Sequence, residues 1–106
     1  MMLVLCTAPA AAAERIAAQI VEERLAACVS VIPSVRSVYR WKGAVERADE
    51  AQLLMKTSEA VVDELIARIA AIHPYEMPEI IAFQVDRALP AYLAWVDEEA
   101  RGGAGR

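Results

Sequence analysis

The stretch "HPYEMPEI", at residues 73–80, gathers side chains that could bind a metal ion. It holds the one histidine of the chain, His73, and the carboxylates Glu76 and Glu79. Imidazole and carboxylate ligands suit copper or zinc, and the two prolines of the stretch would keep these ligands in a stiff loop. A second interpretation stays open, since a tetrahedral metal site usually needs three or four protein ligands close together. In that interpretation the stretch ends a helix and directs Tyr75 into a subunit interface.

Cys28 is a second candidate metal ligand. As a thiolate it would bind copper(I), which prefers soft sulfur ligands. As a thiol it would pack as a small buried hydrophobe, and both interpretations stay open. The other cysteine, Cys6, lies in the middle of an apolar run, so we expect it to be buried. Two cysteines this far apart do not indicate a disulfide framework, and we expect a reducing, cytoplasmic location.

One lysine and three aromatic side chains are candidates for a ligand cleft between subunits, namely Lys56, Tyr39, Trp41 and Trp95. Lys56 could meet an anionic ligand or one of the glutamates, or it could form an ordinary ion pair. The aromatic side chains could line a pocket or pack an interface, where large aromatics are enriched. The sequence has no glycine-rich phosphate loop and no motif around Cys28 or His73 that indicates nucleophilic catalysis. We therefore do not predict an enzyme.

Length and charge limit the class of protein. With 106 residues the chain fits one domain. We assign that domain to residues 1–101 and expect residues 102–106, "GGAGR", to form a flexible tail. A net charge of −4 without a stripe of lysine and arginine argues against binding to nucleic acid or to an anionic membrane. No uncharged stretch reaches the length of a transmembrane helix.

The hydrophobic pattern predicts alternating strands and helices. "MLVLCT" is a short apolar run typical of a buried strand, and the alanine-rich segment after Pro9 favours a helix. "CVSVIPSVRSVYRW" and "AVERADEAQLLMKT" predict two strands joined by a tight turn at residues 42 and 43. "SEAVVDELIARIAAIH" predicts a helix, "EIIAFQV" a fourth strand and "LPAYLAWVDEEA" a final helix. The order β-α-β-β-α-β plus a C-terminal helix is that of a ferredoxin-like α+β fold.

The second predicted helix has an apolar face at helical spacing, formed by Val62, Leu65, Ile66, Ile69 and Ile72. We expect Thr57 or Ser58 to cap its N-terminus, because hydroxyl side chains accept hydrogen bonds there. We expect the helix to end at His73, because the residue before a proline is disfavoured in the α region.

The predicted hairpin is too long for the domain that carries it. Each arm of about 13 residues spans about 40 Å at roughly 3.3 Å per residue. A domain of this size has a radius of gyration of about 13 Å. The outer half of the hairpin, which carries Tyr39 and Trp41, must therefore leave the core of the protomer. Exposed apolar strands pair with other chains, so the hairpin predicts an oligomer.

Four segments of the chain resemble one known family. "ERLAACVSVIPSVRSVYRWKG", "LLMKT", "HPYEMPEI" and "YLAW" occur here in the order and spacing of the CutA divalent-cation tolerance proteins. The resemblance extends from Leu3 to about Glu99, and the patterns HPYE-x-PE and S-x-Y-x-W-x-G are highly specific in combination.

The resemblance implies a ferredoxin-like protomer in a compact homotrimer, similar in architecture to the PII signal-transduction proteins. It also implies binding of copper or another divalent metal ion, a role in metal tolerance and no defining enzymatic activity. It matches Cys28 to a cysteine that recurs in the family. The metal contacts that we expect are Cys28, His73 and Glu76, with Glu79 and Lys56 near the same cleft. The alternative is a PII-like signalling or scaffold module that binds a small ligand or a protein between subunits.

Overall fold

A computed structural model describes residues 1–101 of the chain. Its strands and helices are β1 Met2–Ala8, α1 Ala10–Glu22, β2 Cys28–Trp41, β3 Ala44–Thr57, α2 Val62–Ile72, β4 Ile80–Gln84 and α3 Pro90–Glu99. This is the predicted order of elements. The tail predicted at residues 102–106 lies outside the described residues.

The strands described within residues 1–101 form one antiparallel sheet with the order β2-β3-β1-β4. Strand β1 lies inside the sheet, where Met2 pairs with Thr57 of β3 and with Gln84 of β4. This strand order, with α1 following β1 and α2 following β3, confirms the predicted ferredoxin-like α+β fold.

The hydrophobic core lies between the two long helices and one face of the sheet. Alternate residues of β1 and β3 point into it, among them Val4, Cys6, Leu53 and Met55, each fully buried. Helix α1 contributes Ile16 and Ile20 from one side. Helix α2 buries Val62, Leu65 and Ile69, while Ile66 and Ile72 pack against the edge of the core. The predicted apolar face of α2 is confirmed.

The predicted cap of helix α2 is wrong. The helix begins at Val62, and neither Thr57 nor Ser58 makes a capping hydrogen bond. The Thr57 hydroxyl instead donates to the carbonyl of Leu25 at 2.7 Å, and the Ser58 hydroxyl donates to the carbonyl of Ala100 at 2.9 Å. Both hydroxyls therefore join distant segments of the chain, which local sequence patterns do not reveal.

The hairpin β2–β3 extends beyond the rest of the sheet, as its length predicts. Strand β1 pairs only with residues 51–57 of β3, so residues 44–50 of β3 pair only with β2. The register shifts between Ile32 and Val35, where Pro33 cannot donate a ladder hydrogen bond. Lys42 and Gly43 make the turn with positive φ values of 49° and 86°. The longest dimension of the protomer is 44 Å.

The other face of the sheet, which α1 and α2 do not cover, carries an apolar patch on β1 and β4. The pairs Leu5 with Ile81 and Leu3 with Phe83 place these four side chains opposite the core residues of the same strands. Ile81 is 50% exposed and Phe83 44% exposed. In the described part of the chain, no helix is long and apolar enough to cross a membrane.

Candidate functional site

His73 fastens the loop of residues 73–79 to the end of β1. Helix α2 ends at Ile72, and His73 adopts an extended conformation ahead of Pro74, as predicted. The His73 Nε2 atom lies 2.8 Å from the carbonyl oxygen of Thr7, which can only accept. The backbone N–H of Tyr75 donates to His73 Nδ1 at 3.1 Å. These two bonds specify the neutral imidazole with its proton on Nε2.

Tyr75 connects the same loop to strand β3. Its hydroxyl donates to Glu50 Oε1 at 2.7 Å, and Glu50 is buried. Burial, followed by the hydrogen bond to Glu50, raises the pKa of Tyr75 above its ordinary value. Burial also raises the pKa of the Cys6 thiol to about 12, with smaller contributions from Glu79 and Glu50. The loop thus sits beside a buried carboxylate whose negative charge acts on neighbouring acidic groups.

A cavity of about 820 Å³, which we name the hairpin cavity, opens between this loop and the projecting hairpin. Its hairpin wall is formed by Ser37, Val38, Tyr39, Trp41 and Lys42, its loop wall by residues 74–79, and its floor by Thr7 and Glu50. The structure therefore brings together five of the predicted site residues, namely Tyr39, Trp41, Tyr75, Glu76 and Glu79. The cavity has the size of a small-molecule site.

A second group of polar side chains, which we name the thiol cluster, surrounds Cys28. The Lys56 ammonium donates to Ser30 Oγ at 2.7 Å and lies 3.9 Å from Cys28 Sγ. Burial and the neighbouring Cys28, with which it hydrogen-bonds, raise the pKa of Tyr92. The ring of Trp95 lies 5.6 Å from that of Tyr92. Cys28 is partly buried, so its side chain is neither fully enclosed nor fully exposed.

The two groups lie at opposite ends of β1. Cys28 pairs with Lys56 of β3, whereas Thr7, the partner of His73, pairs with Gln52. These positions are four residue steps apart along β3, or about 13 Å at roughly 3.3 Å per residue. Within one protomer the structure does not bring Cys28, Lys56 or Trp95 to the loop. In residues 1–101 no group of three or more His, Cys, Asp or Glu side chains is arranged to hold a metal ion.

Sequence reasoning missed three side chains that shape these groups: Glu50, Lys42 and Tyr92. Glu50 lies in the polar run "ERADE", which is typical of a solvent-exposed strand end. The structure nevertheless buries Glu50, which is 6% exposed. Its hydrogen-bond donor is Tyr75, which lies 25 residues away in the sequence. The spacing of Glu50 with Gln52 and Leu54 shows which face of β3 it occupies, but nothing local indicates that the loop covers it.

Comparison with known proteins extends these findings. The family model described as CutA1 divalent ion tolerance protein matches residues 2–99. The Divalent-cation tolerance protein CutA of Thermus thermophilus is 43% identical over 97 residues, covering 91% of this chain and 94% of that protein. Protein CutA of mouse is 43% identical over 86 residues, covering 81% of this chain. The chain spans about half of the mouse protein, 49% of its length.

A solved structure shares the whole architecture. The PII-like protein CutA from Nostoc, in its apo form, superposes with a TM-score of 0.91 at 39% sequence identity. The match covers 95% of this chain and 98% of the other. The similarity therefore includes the projecting hairpin and the loop that together form the hairpin cavity.

Proposed function

The chain belongs to the CutA1 divalent ion tolerance protein family, and from that premise we propose that it binds divalent metal ions, copper first among them, as a homotrimer active in metal tolerance. A reducing cytoplasmic setting is part of the proposal, because it keeps Cys28 a free thiol. We also propose that the protein acts by binding rather than by catalysis.

The observation that carries this proposal is the carboxylate rim of the hairpin cavity. Glu76 and Glu79 lie exposed on the loop of residues 73–79 and both line the cavity. Carboxylates are effective ligands for divalent ions. Because one protomer supplies too few clustered donors among its described residues, we propose that symmetry-related subunits complete the site.

The thiol cluster offers a different metal preference. Cys28 would supply a soft sulfur ligand for copper(I). The Lys56 ammonium, 3.9 Å from the sulfur, opposes a cation at that position. Metal binding at Cys28 therefore requires Lys56 to turn away, which its flexible side chain permits. Ligation by His73 likewise requires the loss of one of its two hydrogen bonds.

Calorimetric titration of metal-free protein tests the proposal. We would titrate reduced protein with copper(I) under anaerobic conditions and, separately, with copper(II) and zinc(II). The variants are Cys28→Ser and the double variant Glu76→Gln/Glu79→Gln. Asp86→Asn is the matched control, because Asp86 is a fully exposed carboxylate outside the cavity.

Saturable binding at a fixed ratio per trimer, weakened about ten-fold or more in the double variant, would support the carboxylate site, since a ten-fold loss corresponds to about 1.4 kcal/mol from the two carboxylates together. If Cys28→Ser loses affinity for copper(I) but not for copper(II) or zinc(II), the result would assign copper(I) binding to the thiol cluster. Weak, non-saturating binding that survives all the variants would overturn the proposal.

A second candidate function rests on the shape of the hairpin cavity. Its volume of about 820 Å³ and its walls of Tyr39, Trp41 and Tyr75 suit a small organic ligand better than a bare ion. We propose as the alternative a PII-like module that binds such a ligand, with trimer assembly placing the cavity at a cleft between subunits. The similarity to a structure described as PII-like is consistent with this alternative.

A further inference from the structure

The hairpin cavity carries more negative than positive charge. Its lining includes the carboxylates Glu50, Glu76 and Glu79 and one ammonium, that of Lys42. The formal excess is therefore two negative charges. Glu76 and Glu79 are exposed, whereas Glu50 is 6% exposed. A ligand that enters the cavity meets a negative potential, and the interaction strengthens where water is excluded around Glu50.

Glu50 has no cationic partner among the ion pairs formed within the described residues. Its hydrogen-bond donor is the neutral Tyr75 hydroxyl at 2.7 Å. A carboxylate removed from water without a compensating charge is energetically costly. Tyr75, whose pKa is raised first by burial and then by the hydrogen bond to Glu50, stays a neutral donor beside this carboxylate. A bound cation would supply the charge that the protomer does not.

The walls of the cavity add aromatic faces to this negative floor. Tyr39, Trp41 and Tyr75 all line it. Aromatic faces attract cations, most strongly the indole of tryptophan, when the cation lies within about 6 Å of the ring centroid. The chain itself uses this interaction, because the Lys42 ammonium lies 5.5 Å from the centroid of Trp41.

The spacing of the charged groups favours an organic cation over a bare metal ion in a single protomer. A metal ion needs several oxygen, nitrogen or sulfur ligands at about 2.0–2.6 Å. Residues 1–101 contain no cluster of acidic, histidine or cysteine side chains arranged that closely. An ammonium head needs only a negative potential and aromatic surface around it, and the cavity is large enough to admit one.

We infer that the hairpin cavity binds a small organic ammonium cation, with Glu50 as the charge partner and Tyr39 and Trp41 as the aromatic walls. This inference rests on the second function proposed above, a small-ligand site, and names the chemical class of its ligand. Tyr75 positions the Glu50 carboxylate through the hydrogen bond of 2.7 Å.

The experiment compares choline with its neutral carbon isostere, in which a tert-butyl group replaces the trimethylammonium head. Both are titrated in the presence of a metal chelator, so that metal binding does not contribute. The protein carries Trp95→Phe, which leaves Trp41 as the one tryptophan and its fluorescence as the reporter. Glu50→Gln removes the charge and retains a hydrogen-bond acceptor for Tyr75. Asp49→Asn is the control, because Asp49 is an exposed neighbouring carboxylate paired with Arg36.

Saturable quenching by choline at millimolar concentration or below, about ten-fold weaker with the isostere and about ten-fold weaker in Glu50→Gln, supports the inference, provided that Asp49→Asn changes affinity less than about two-fold. Equal affinity for choline and the isostere overturns the ligand class while leaving the cavity as a small-ligand site. Saturation by neither probe overturns the inference. Because the metal titration uses other variants and no chelator, its outcome is separate.

Discussion

His73 closes the loop of residues 73–79 through both of its ring nitrogens. Nε2–H donates to Thr7 at 2.8 Å and Nδ1 accepts from Tyr75 at 3.1 Å. The ring also packs 4.8 Å from that of Tyr75. The one histidine of the chain thus has a structural role in the protomer, and it holds Tyr75, and through it Glu50, at the hairpin cavity.

We expect His73→Ala to lower the free energy of unfolding by about 2 kcal/mol, because it removes the imidazole donor to the Thr7 carbonyl and the acceptor for the backbone N–H of Tyr75. Urea denaturation at neutral pH and fixed protein concentration measures this change. Met77→Ala is the control in the same loop. Met77 is 71% exposed, so its loss should change stability by less than about 0.5 kcal/mol. Equal stability of the two variants would refute the structural role of His73.

At the scale of elements, one ion pair joins the two long helices on their solvent side. The Arg68 guanidinium of α2 donates to both carboxylate oxygens of Glu23, just after α1, at 2.9 and 3.0 Å. The hydrogen bond from Arg68 is the largest cause of the lowered pKa of Glu23. The folded protein therefore holds the ionised form of Glu23 more firmly than the unfolded chain does.

This shift predicts an acid-dependent stability. Because the folded pKa of Glu23 lies below its ordinary value of 4.5, the stabilisation is fully present above that value and is lost as the pH falls through the folded pKa. We expect Glu23→Gln to lower the Tm by a few degrees near neutral pH, since exposed pairs contribute little. The difference from wild type should shrink below about pH 4.5.

Thermal melts at several pH values, read by circular dichroism at fixed protein concentration, test this expectation. Glu22→Gln is the matched control, because Glu22 is the exposed last residue of α1, whereas the Arg68 guanidinium donates to the neighbouring Glu23. A Glu23→Gln curve that stays parallel to wild type into the acid range would contradict the assignment. So would an equal effect of Glu22→Gln.

Whether the sequence predicts a feature depends on how far apart along the chain the contacting residues lie. Patterns with periods of two and 3.6 residues correctly predict the strands, the apolar face of α2 and the end of that helix before Pro74. The site is recovered only in part. Tyr75, Glu76 and Glu79 share one short loop, and the hairpin brings Tyr39 to them.

The rest could not be predicted because its contacts join distant parts of the chain. His73 meets Thr7 across 66 residues, and Thr57 meets Leu25 across 32. No local sequence pattern predicts contacts between residues this far apart in the chain. Cys28 and His73 do not meet within the protomer, because Cys28 lies beside Lys56, which pairs near the start of β1, whereas His73 bonds to Thr7 near the end of β1, a relation that only the strand register reveals.

At the scale of the whole molecule, the described part of the protomer exposes apolar side chains on two surfaces. One is the open face of the sheet around Ile81 and Phe83, and the other is the projecting hairpin with Val38, Tyr39 and Val45 exposed. Contiguous exposed apolar surface marks an interface. A closed symmetric oligomer buries the same patch on every subunit, which is the physical support for the proposed trimer.

We expect Phe83→Asp to dissociate the proposed trimer, because a charge placed on the open face would be buried without a partner in the assembly. Light scattering coupled to size-exclusion chromatography should show a mass near that of one protomer for the variant and near three for wild type. Val21→Asp is the matched control, since Val21 is 40% exposed on α1, away from the open face, and should leave the mass unchanged. A wild-type protein that elutes as a monomer would refute the trimer itself. A trimeric Phe83→Asp variant would place the interface on the hairpin instead, because the hairpin is the other large apolar surface of the described chain.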